Sequence, residues 1–451
     1  MSSSSNGTAS AGVNPALIDA ALPADCRAVV VGYSGGLDST VLLHLALQGP
    51  RPVRAVHVHH GLQAAASDWA AHCRATATRL GAAFEQIDIT PHRRGEGLEA
   101  GARAARYRAL AAGLDPDEAV LTAHHADDQL ETLLYRLLRG TGPDGLVGIQ
   151  PMRALGRGWL IRPLLGVPRE QLEAYAVRHG LDWVDDPSNA SLDIDRNYLR
   201  HRVIPVMTAR WPAAAAAAGR LADHARAQRA VIAEWLGEGS GPLSLADWRT
   251  RTRAARGVML REWIRAGGQQ PPGQRRLDAG MAALADAAAD RHPVLAWPGG
   301  QVRRHGEWLY RLPAALPSIP PAQVVPTAAR EAVWGSLGTV TGLPAAAGPL
   351  WLRGLHPGER LALAGRPAKP AREVLREYGV VPWWRDRLPV LVDEHDACLA
   401  VAGLGPTRGG QARWPARAAP DLHWQPHSGV AGADWPWLTA SGQIVPDGSF
   451  C

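Results

Sequence analysis

Between Arg27 and about Trp211, short apolar runs alternate with longer stretches whose apolar residues recur every three or four positions. Ala28–Tyr33, Val53–His59, Ala83–Ile89 and Ala119–Ala123 read as strands, because each is short, rich in branched or small apolar residues and bounded by turn formers. The stretches Asp68–Leu80 and Leu98–Leu110 carry the helical period. Strands separated by helices predict an α/β domain with a doubly wound, mostly parallel sheet over 25–211. From Pro212 an alanine run predicts a long helix leaving that domain, opening a mostly helical middle domain over 212–312 with a strand-like end at Val294–Leu312. Residues 313–349 turn to Pro and Ala with few charges and read as a connector. A small α+β C-terminal domain is expected over 350–404, a weakly structured tail over 405–451, and a disordered leader over 1–24.

At 451 residues the chain exceeds the roughly 100–200 of a single domain, which agrees with that division. No apolar run of about 18 residues occurs, and MSSSSNGTAS lacks the regions of a signal peptide, so a cytoplasmic protein with no membrane partner is expected. Cys26, Cys73, Cys398 and Cys451 form no CxxC pair, which leaves them as reduced structural residues rather than metal or redox ligands. The net charge of +6 is compatible with a polyanionic partner. Nearly all of the positive charge is arginine: Lys369 is the single lysine, so a Walker-type phosphate loop, which needs its own lysine, is excluded.

The segment Ser34–Ser39, SGGLDS, follows the valine strand and precedes the apolar helical run Val41–Leu47. A glycine turn between a strand and a helix N-terminus converges backbone N–H groups on an anion. Gly35 and Gly36 let the backbone approach a phosphate, while Ser34 and Ser39 add hydroxyl donors. Asp38 would repel a phosphate unless a divalent cation lay between them, so it is assigned to Mg2+. The same residues are also favoured in a simple capped turn. SGGLDS resembles the mark of the ATP-pyrophosphatase loop superfamily. That likeness implies ATP binding through Ser34, Gly35, Gly36, Leu37, Asp38 and Ser39, and cleavage between the α and β phosphates.

In LTAHHADDQLET, Leu121–Thr132, a strand end meets a helix whose Asp127, Asp128 and Glu131 are spaced three and four apart, so their carboxylates converge at the sheet's C-terminal edge. Acidic residues in a first turn also simply favour the helix dipole. As functional groups, Asp128 suits the metal beside Asp38, and Glu131, with Asp127, suits a cationic amine. On 97–110, Glu99, Arg103 and Arg106 share a helix face, and 195–205 packs Arg196, Arg200 and Arg202 into one stretch. Such faces serve solvation as readily as phosphate binding.

Taken in order, SGGLDS, VHVHHGL, the E…R…RY helix, HHADDQLET and the D-x-x-N…DRN-[FY]-x-R-x-R-[VI]-x-P block, here Asp186, Asn189 and Asp195 to Pro205, resemble the tRNA(Ile)-lysidine synthetase family. So does Lys369–Leu391, which is similar to the family's C-terminal tRNA-binding segment. The resemblance implies an adenine nucleotide alpha-hydrolase-like fold. It implies, too, that His57 lies near ATP, that Arg106 neutralises phosphate charge, and that Arg196, Arg200, Arg202, Lys369, Arg372 and Arg385 contact tRNA. The implied catalytic set is Asp38, Arg106, Asp128 and Glu131. The implied reaction adenylates the wobble cytidine of tRNA(Ile) with a CAU anticodon and then couples it to free L-lysine, with ATP and Mg2+ as cofactors and lysidine as product. A homodimer is entertained as the assembly. The rival readings are a tRNA 2-thiolation enzyme of the same superfamily, which would need a sulfur-carrying cysteine or a cluster, and a non-catalytic tRNA-binding protein.

Overall fold

The computed structural model describes residues 12–59, 66–89, 98–185, 191–236, 241–288, 291–344, 348–363, 365–414 and 422–426. His60, Asp186, Asn189 and the side chain of Glu99 lie outside the described residues. The chain divides into two compact units, Met1–Ala230 and Val231–Cys451.

The first unit opens with α1 (Ala16–Ala21), β1 (Ala28–Gly32), α2 (Leu37–Leu47), β2 (Val53–His59), α3 (Ala66–Arg79), β3 (Ala83–Asp88), α4 (Leu98–Ala112), β4 (Glu118–Leu121) and α5 (Ala126–Leu138). It continues through α6 (Pro143–Leu146), β5 (Met152–Leu155), β6 (Gly158–Ile161) and α7 (Arg169–Arg178). Then come α8 (Asp195–Tyr198), a π-helical turn (Leu199–Val203), α9 (Ile204–Arg210) and α10 (Ala214–Leu236). The expected parallel sheet is present, in the order β3-β2-β1-β4-β6-β5, with only β5 antiparallel. β1 is apolar throughout because both of its faces are covered. Val29 and Val31 pack into a core with Leu42, Leu45 and Tyr175. Val30, on the other face, packs with Val56, Leu110, Val120 and Leu160. Strand order reverses between β1 and β4, which makes the crevice beyond their C-terminal ends the natural ligand site of such a sheet.

The leader needs a correction in its described part: Val13 and Ile18 are buried in the β1 core, so α1 is anchored by the apolar side of a single helical turn.

In the second unit, β7 (Leu243–Ser244), α11 (Leu245–Thr250), α12 (Arg253–Ala266) and α13 (Gln274–Asp286) lead into β8 (Val294–Trp297), β9 (Gly300–His305) and β10 (Trp308–Leu312). The helices enclose Trp248, Leu260, Ile264 and Leu277 against a four-stranded antiparallel sheet, β7-β10-β9-β8. The expected connector is not one. Residues 313–349 supply β11 (Gln323–Val325), β12 (Glu331–Val333) and β13 (Gly338–Thr341), and Trp334, Leu337 and Val340 are fully buried. The chain goes on through β14 (Leu350–Arg353), β15 (Arg360–Leu361), β16 (Lys369–Pro370), α14 (Ala371–Glu377), α15 (Pro382–Arg385), β17 (Val390–Val392) and β18 (Cys398–Val401). It ends its described course with β19 (Gly405–Pro406), α16 (Arg408–Arg413) and β20 (His423–Pro426). The expected tail therefore contributes as well: β20 pairs with β13, and its Trp424 is buried. One core, holding Trp334, Trp383, Trp384 and Trp424, spans the whole segment from Tyr310 to Trp424.

Candidate active site at the strand-order reversal

The loop after β1 and the loop after β4 face each other at the reversal. Gly35 has φ of +78°, and a Cβ there would lie 2.6 Å from the Cys73 sulfur and 3.0 Å from Trp69 Nε1. Trp69 Nε1 donates to the Ser34 carbonyl at 2.7 Å, and Val184 N donates to the Gly35 carbonyl at 3.0 Å, so the loop is wedged from both sides. Ser34 and Ser39 hydroxyls lie 3.0 Å apart, and Gly36 caps α2. His57 Nδ1 bonds the Tyr33 carbonyl at 2.9 Å, holding the end of β2 against the loop. Burial, with His59 and Arg106 nearby, lowers the His57 pKa against the opposing effect of that hydrogen bond.

Across the crevice, His125 precedes α5 and is almost wholly buried. Its Nε2 lies 3.7 Å from Asp38 and 3.5 Å from Asp128, and its Nδ1 lies 3.5 Å from Asp127. Burial opposes protonation, but the Asp127 carboxylate beside Nδ1 and the charges of Asp128 and Asp38 outweigh it, so the His125 pKa is raised. Burial likewise raises the pKa of Asp38, against the attraction of His125 and Arg169. Arg169, at the start of α7, places Nε 4.0 Å from Asp38 and donates its backbone N–H to Asp127 at 2.9 Å. Asp128 also accepts the His125 backbone N–H at 3.0 Å, so it caps α5 as well as facing the crevice. The neighbouring His124 points the other way, toward Arg103 at 3.4 Å and Thr122 at 3.0 Å. Burial, with Arg162 and Arg103 acting against Asp128, pushes it down to about 3 and keeps it neutral.

Glu131 lies one turn deeper on α5, with its residue surface 3% exposed. Arg200 meets it at 2.7 Å and Asp128 at 3.2 Å, and Arg196 approaches it at 3.8 Å. Two of the arginines expected on tRNA phosphates therefore sit, half-buried, against the carboxylates of α5, and Arg202 is the most exposed of the three. In the second unit, Lys369 pairs with Glu377 at 2.5 Å, Arg372 approaches Asp386 at 3.9 Å, and Arg385 donates to the Val380 carbonyl at 2.8 Å. Burial, then Arg376 and Arg372, lowers the Arg385 pKa, which marks these guanidinium groups as one basic cluster.

The structure thus brings Asp38, Asp127, Asp128 and Glu131 together, and adds His125, Arg169, Arg196 and Arg200 as their counter-charges. His125 and Arg169 received no role from the sequence. The one signal for His125 was its place as the residue before a helix that opens with two aspartates.

A phosphate-binding loop at the N-terminus of α2, opposed by carboxylates at the strand-order reversal, defines a PP-loop ATP-binding protein. The family model described as the PP-loop domain matches residues 13–207. Models described as the TilS substrate binding domain and the TilS substrate C-terminal domain match 243–310 and 350–424. The tRNA(Ile)-lysidine synthase of Alkalilimnicola ehrlichii is 45% identical over 406 residues, covering 85% of this chain and 91% of that one. Proteins of the same name from Pseudomonas aeruginosa and Xanthomonas campestris are each 39% identical, covering 89% and 83% of this chain and 94% and 89% of theirs. The chain belongs to the tRNA(Ile)-lysidine synthase family. Among solved structures, the U34-tRNA thiolase NcsA from Methanococcus maripaludis with its [4Fe-4S] cluster aligns at 15% identity and a TM-score of 0.39, over 47% of this chain and 76% of that one. Among the described residues, no helix is long and apolar enough to cross a membrane.

Proposed function

We propose that the chain uses ATP to join free L-lysine to C2 of the wobble cytidine of the tRNA(Ile) with a CAU anticodon, releasing AMP and pyrophosphate and leaving lysidine. Family membership supports the reaction, and one observation supports its location: Asp38 and Asp128 each lie within 4 Å of His125 beyond a phosphate loop, with Glu131 one turn behind on α5. In the first step cytidine O2 attacks the α-phosphorus and the bond to the β-phosphate oxygen breaks. In the second, the lysine ε-nitrogen attacks C2, and the C2–O2 bond breaks as AMP leaves with that oxygen.

Ser34, Gly35, Gly36, Leu37 and Ser39 hold the triphosphate through the N-terminus of α2. Arg106, whose charge helps lower the His57 pKa, offers positive charge to the departing phosphates. Magnesium takes one or two carboxylates together with phosphate oxygens rather than a full protein cage. Asp38 and Asp128 fit that demand, since Asp38 Oδ1 is buried without a hydrogen-bond partner and, among the described residues, no group of three or more His, Cys, Asp or Glu could hold a metal alone. Bound there, Mg2+ would offset the charge of the departing pyrophosphate.

Glu131 and Asp127 are assigned to the lysine amine. Burial raises the Glu131 pKa even though Arg200 opposes the shift, making it a better proton acceptor for the ammonium than an exposed carboxylate. The second unit is assigned to tRNA, with Lys369, Arg372 and Arg385 toward phosphate. The setting proposed is the cytoplasm, and sedimentation decides whether the protein is a homodimer there. Release of AMP and pyrophosphate should need both lysine and the CAU-anticodon tRNA, with mass spectrometry showing lysine on the nucleoside. ADP and phosphate as products, or turnover indifferent to lysine, would overturn the reading.

A further inference from the structure

From Asp195 to Arg210, α8, the π-helical turn and α9 form one helical run. Its inner side is committed: Asn197, Leu199 and Ile204 are buried, and Arg196 and Arg200 reach Glu131. Its outer side returns every four residues through Tyr198, Arg202, Val206 and Arg210, and Trp211 follows as the exposed C-cap of α9. A solvated helix face is normally charged and polar. Here Tyr198 is 51%, Val206 72% and Trp211 61% exposed. Arginines stand between them, with the Arg210 guanidinium 5.9 Å from the Trp211 ring centre. Asp195 is the only acidic residue from 195 to 211.

We propose that this outer face binds the single-stranded anticodon loop, with Tyr198 and Trp211 as stacking planes and Arg202 and Arg210 on phosphates. The proposal rests on the reading of the preceding subsection. A base whose O2 must reach the α-phosphate cannot stay stacked on its neighbours, and extruding it leaves those neighbours without partners. Exposed aromatic rings interleaved with guanidinium groups supply replacement stacking and neutralise the backbone. Position favours this helix over any other exposed apolar face, because its reverse side lines the reacting carboxylates. Trp211 lies thirteen positions beyond Tyr198, about 20 Å along the run at ~1.5 Å per residue, which suits several nucleotides of a loop rather than one.

The test uses the full chain with transcribed tRNA, lysine and ATP. Tyr198→Ala and Trp211→Ala should each raise KM for tRNA by about 5- to 150-fold, the range that loss of one base stack implies. KM for lysine and for ATP should stay unchanged, and Tyr198→Phe and Trp211→Phe should restore KM for tRNA. Arg202→Gln and Arg210→Gln should each reduce the salt slope of tRNA binding by about 1. Should an alanine variant fail to fold, Tyr198→Leu and Trp211→Leu keep the apolar bulk, lose the ring and make the same comparison. Unaltered KM for tRNA in both ring variants, or KM values for all three substrates moving together, overturns the proposal. So does a change in sedimenting mass, since that assigns the face to a second copy of the chain. Wild-type protein that makes no lysidine defeats the preceding reading instead, before any variant is made.

Discussion

Replacing Gly35 with alanine tests the phosphate loop at its tightest point. The residue sits at φ +78°, where an L side chain costs ~1–2 kcal/mol. The new methyl would also lie 2.6 Å from Cys73 Sγ and 3.0 Å from Trp69 Nε1, and overpacking of that kind costs ~1–3 kcal/mol. Together these come to ~2–5 kcal/mol. The loop cannot retreat freely, because Trp69 holds the Ser34 carbonyl and Val184 holds the Gly35 carbonyl. If the loop yields, ATP binding carries the cost, a loss of about 30-fold to a few thousand-fold at ~1.4 kcal/mol per decade. If it holds, the cost appears as a lower denaturation midpoint.

Titrating ATP in a pyrophosphate-release assay and melting the protein in urea separate the two outcomes. A Cys73→Ala change in the Gly35→Ala background removes the sulfur collision and leaves the backbone term. The double variant should therefore recover part of the loss, with a coupling of ~0.5–3 kcal/mol. Wild-type ATP dependence together with a wild-type midpoint in Gly35→Ala would refute the wedge, as would strict additivity of the two changes.

His125→Gln should alter how stability depends on pH. The pKa of His125 is raised in the fold, so its contribution is complete below the ordinary value near 6.5 and is lost as pH rises through the folded value. The stability gap between wild type and variant should narrow from pH 6 to pH 9 in urea melts, and a gap that widens would contradict the assigned carboxylate partners. Glu131→Gln should raise KM for lysine while sparing that for ATP, read from AMP release. It should also destabilise the fold by at most the low end of the ~3–5 kcal/mol typical of a broken buried pair, because Arg200 retains water. An unchanged KM for lysine removes Glu131 from the amine site. Cys73 is buried and its thiol is pushed up to about 12. At pH 8 about one part in ten thousand is thiolate, so native alkylation followed by mass spectrometry should leave it unmodified; rapid labelling would show that α3 opens.

The parallel sheet was legible because burial on both faces makes β1 a run of valines, and because its helices are long enough to show their period. β5 and β6 escaped notice, since four-residue strands such as MRAL and GWLI show too little alternation to separate from loop. The C-terminal part failed for a second reason. β13 gains its partner, β20, from more than eighty residues away, and Pro- and Ala-rich composition around strands of three or four residues resembles a connector until that pairing exists. Local composition carries no information about such a partner.

The site was legible to the same degree and for the same reason. SGGLDS is a device of consecutive residues, and the acidic residues of α5 share one helix face, so both can be read locally. Whether Arg196 and Arg200 face inward or outward depends on helix phase, which here passes through a π-helical turn that no sequence period announces. The consequence is energetic. Acidic and basic blocks read as separate devices, one for metal and amine, the other for RNA. In the fold Arg200 already satisfies Glu131, and His125 already stands among Asp38, Asp127 and Asp128. A cationic substrate group entering such a centre exchanges one ion pair for another, so its net gain is the difference between two pairings rather than the worth of one. Discrimination then has to come from the placement of the carboxylates on α5, and from what draws Arg200 aside, more than from the sum of negative charge.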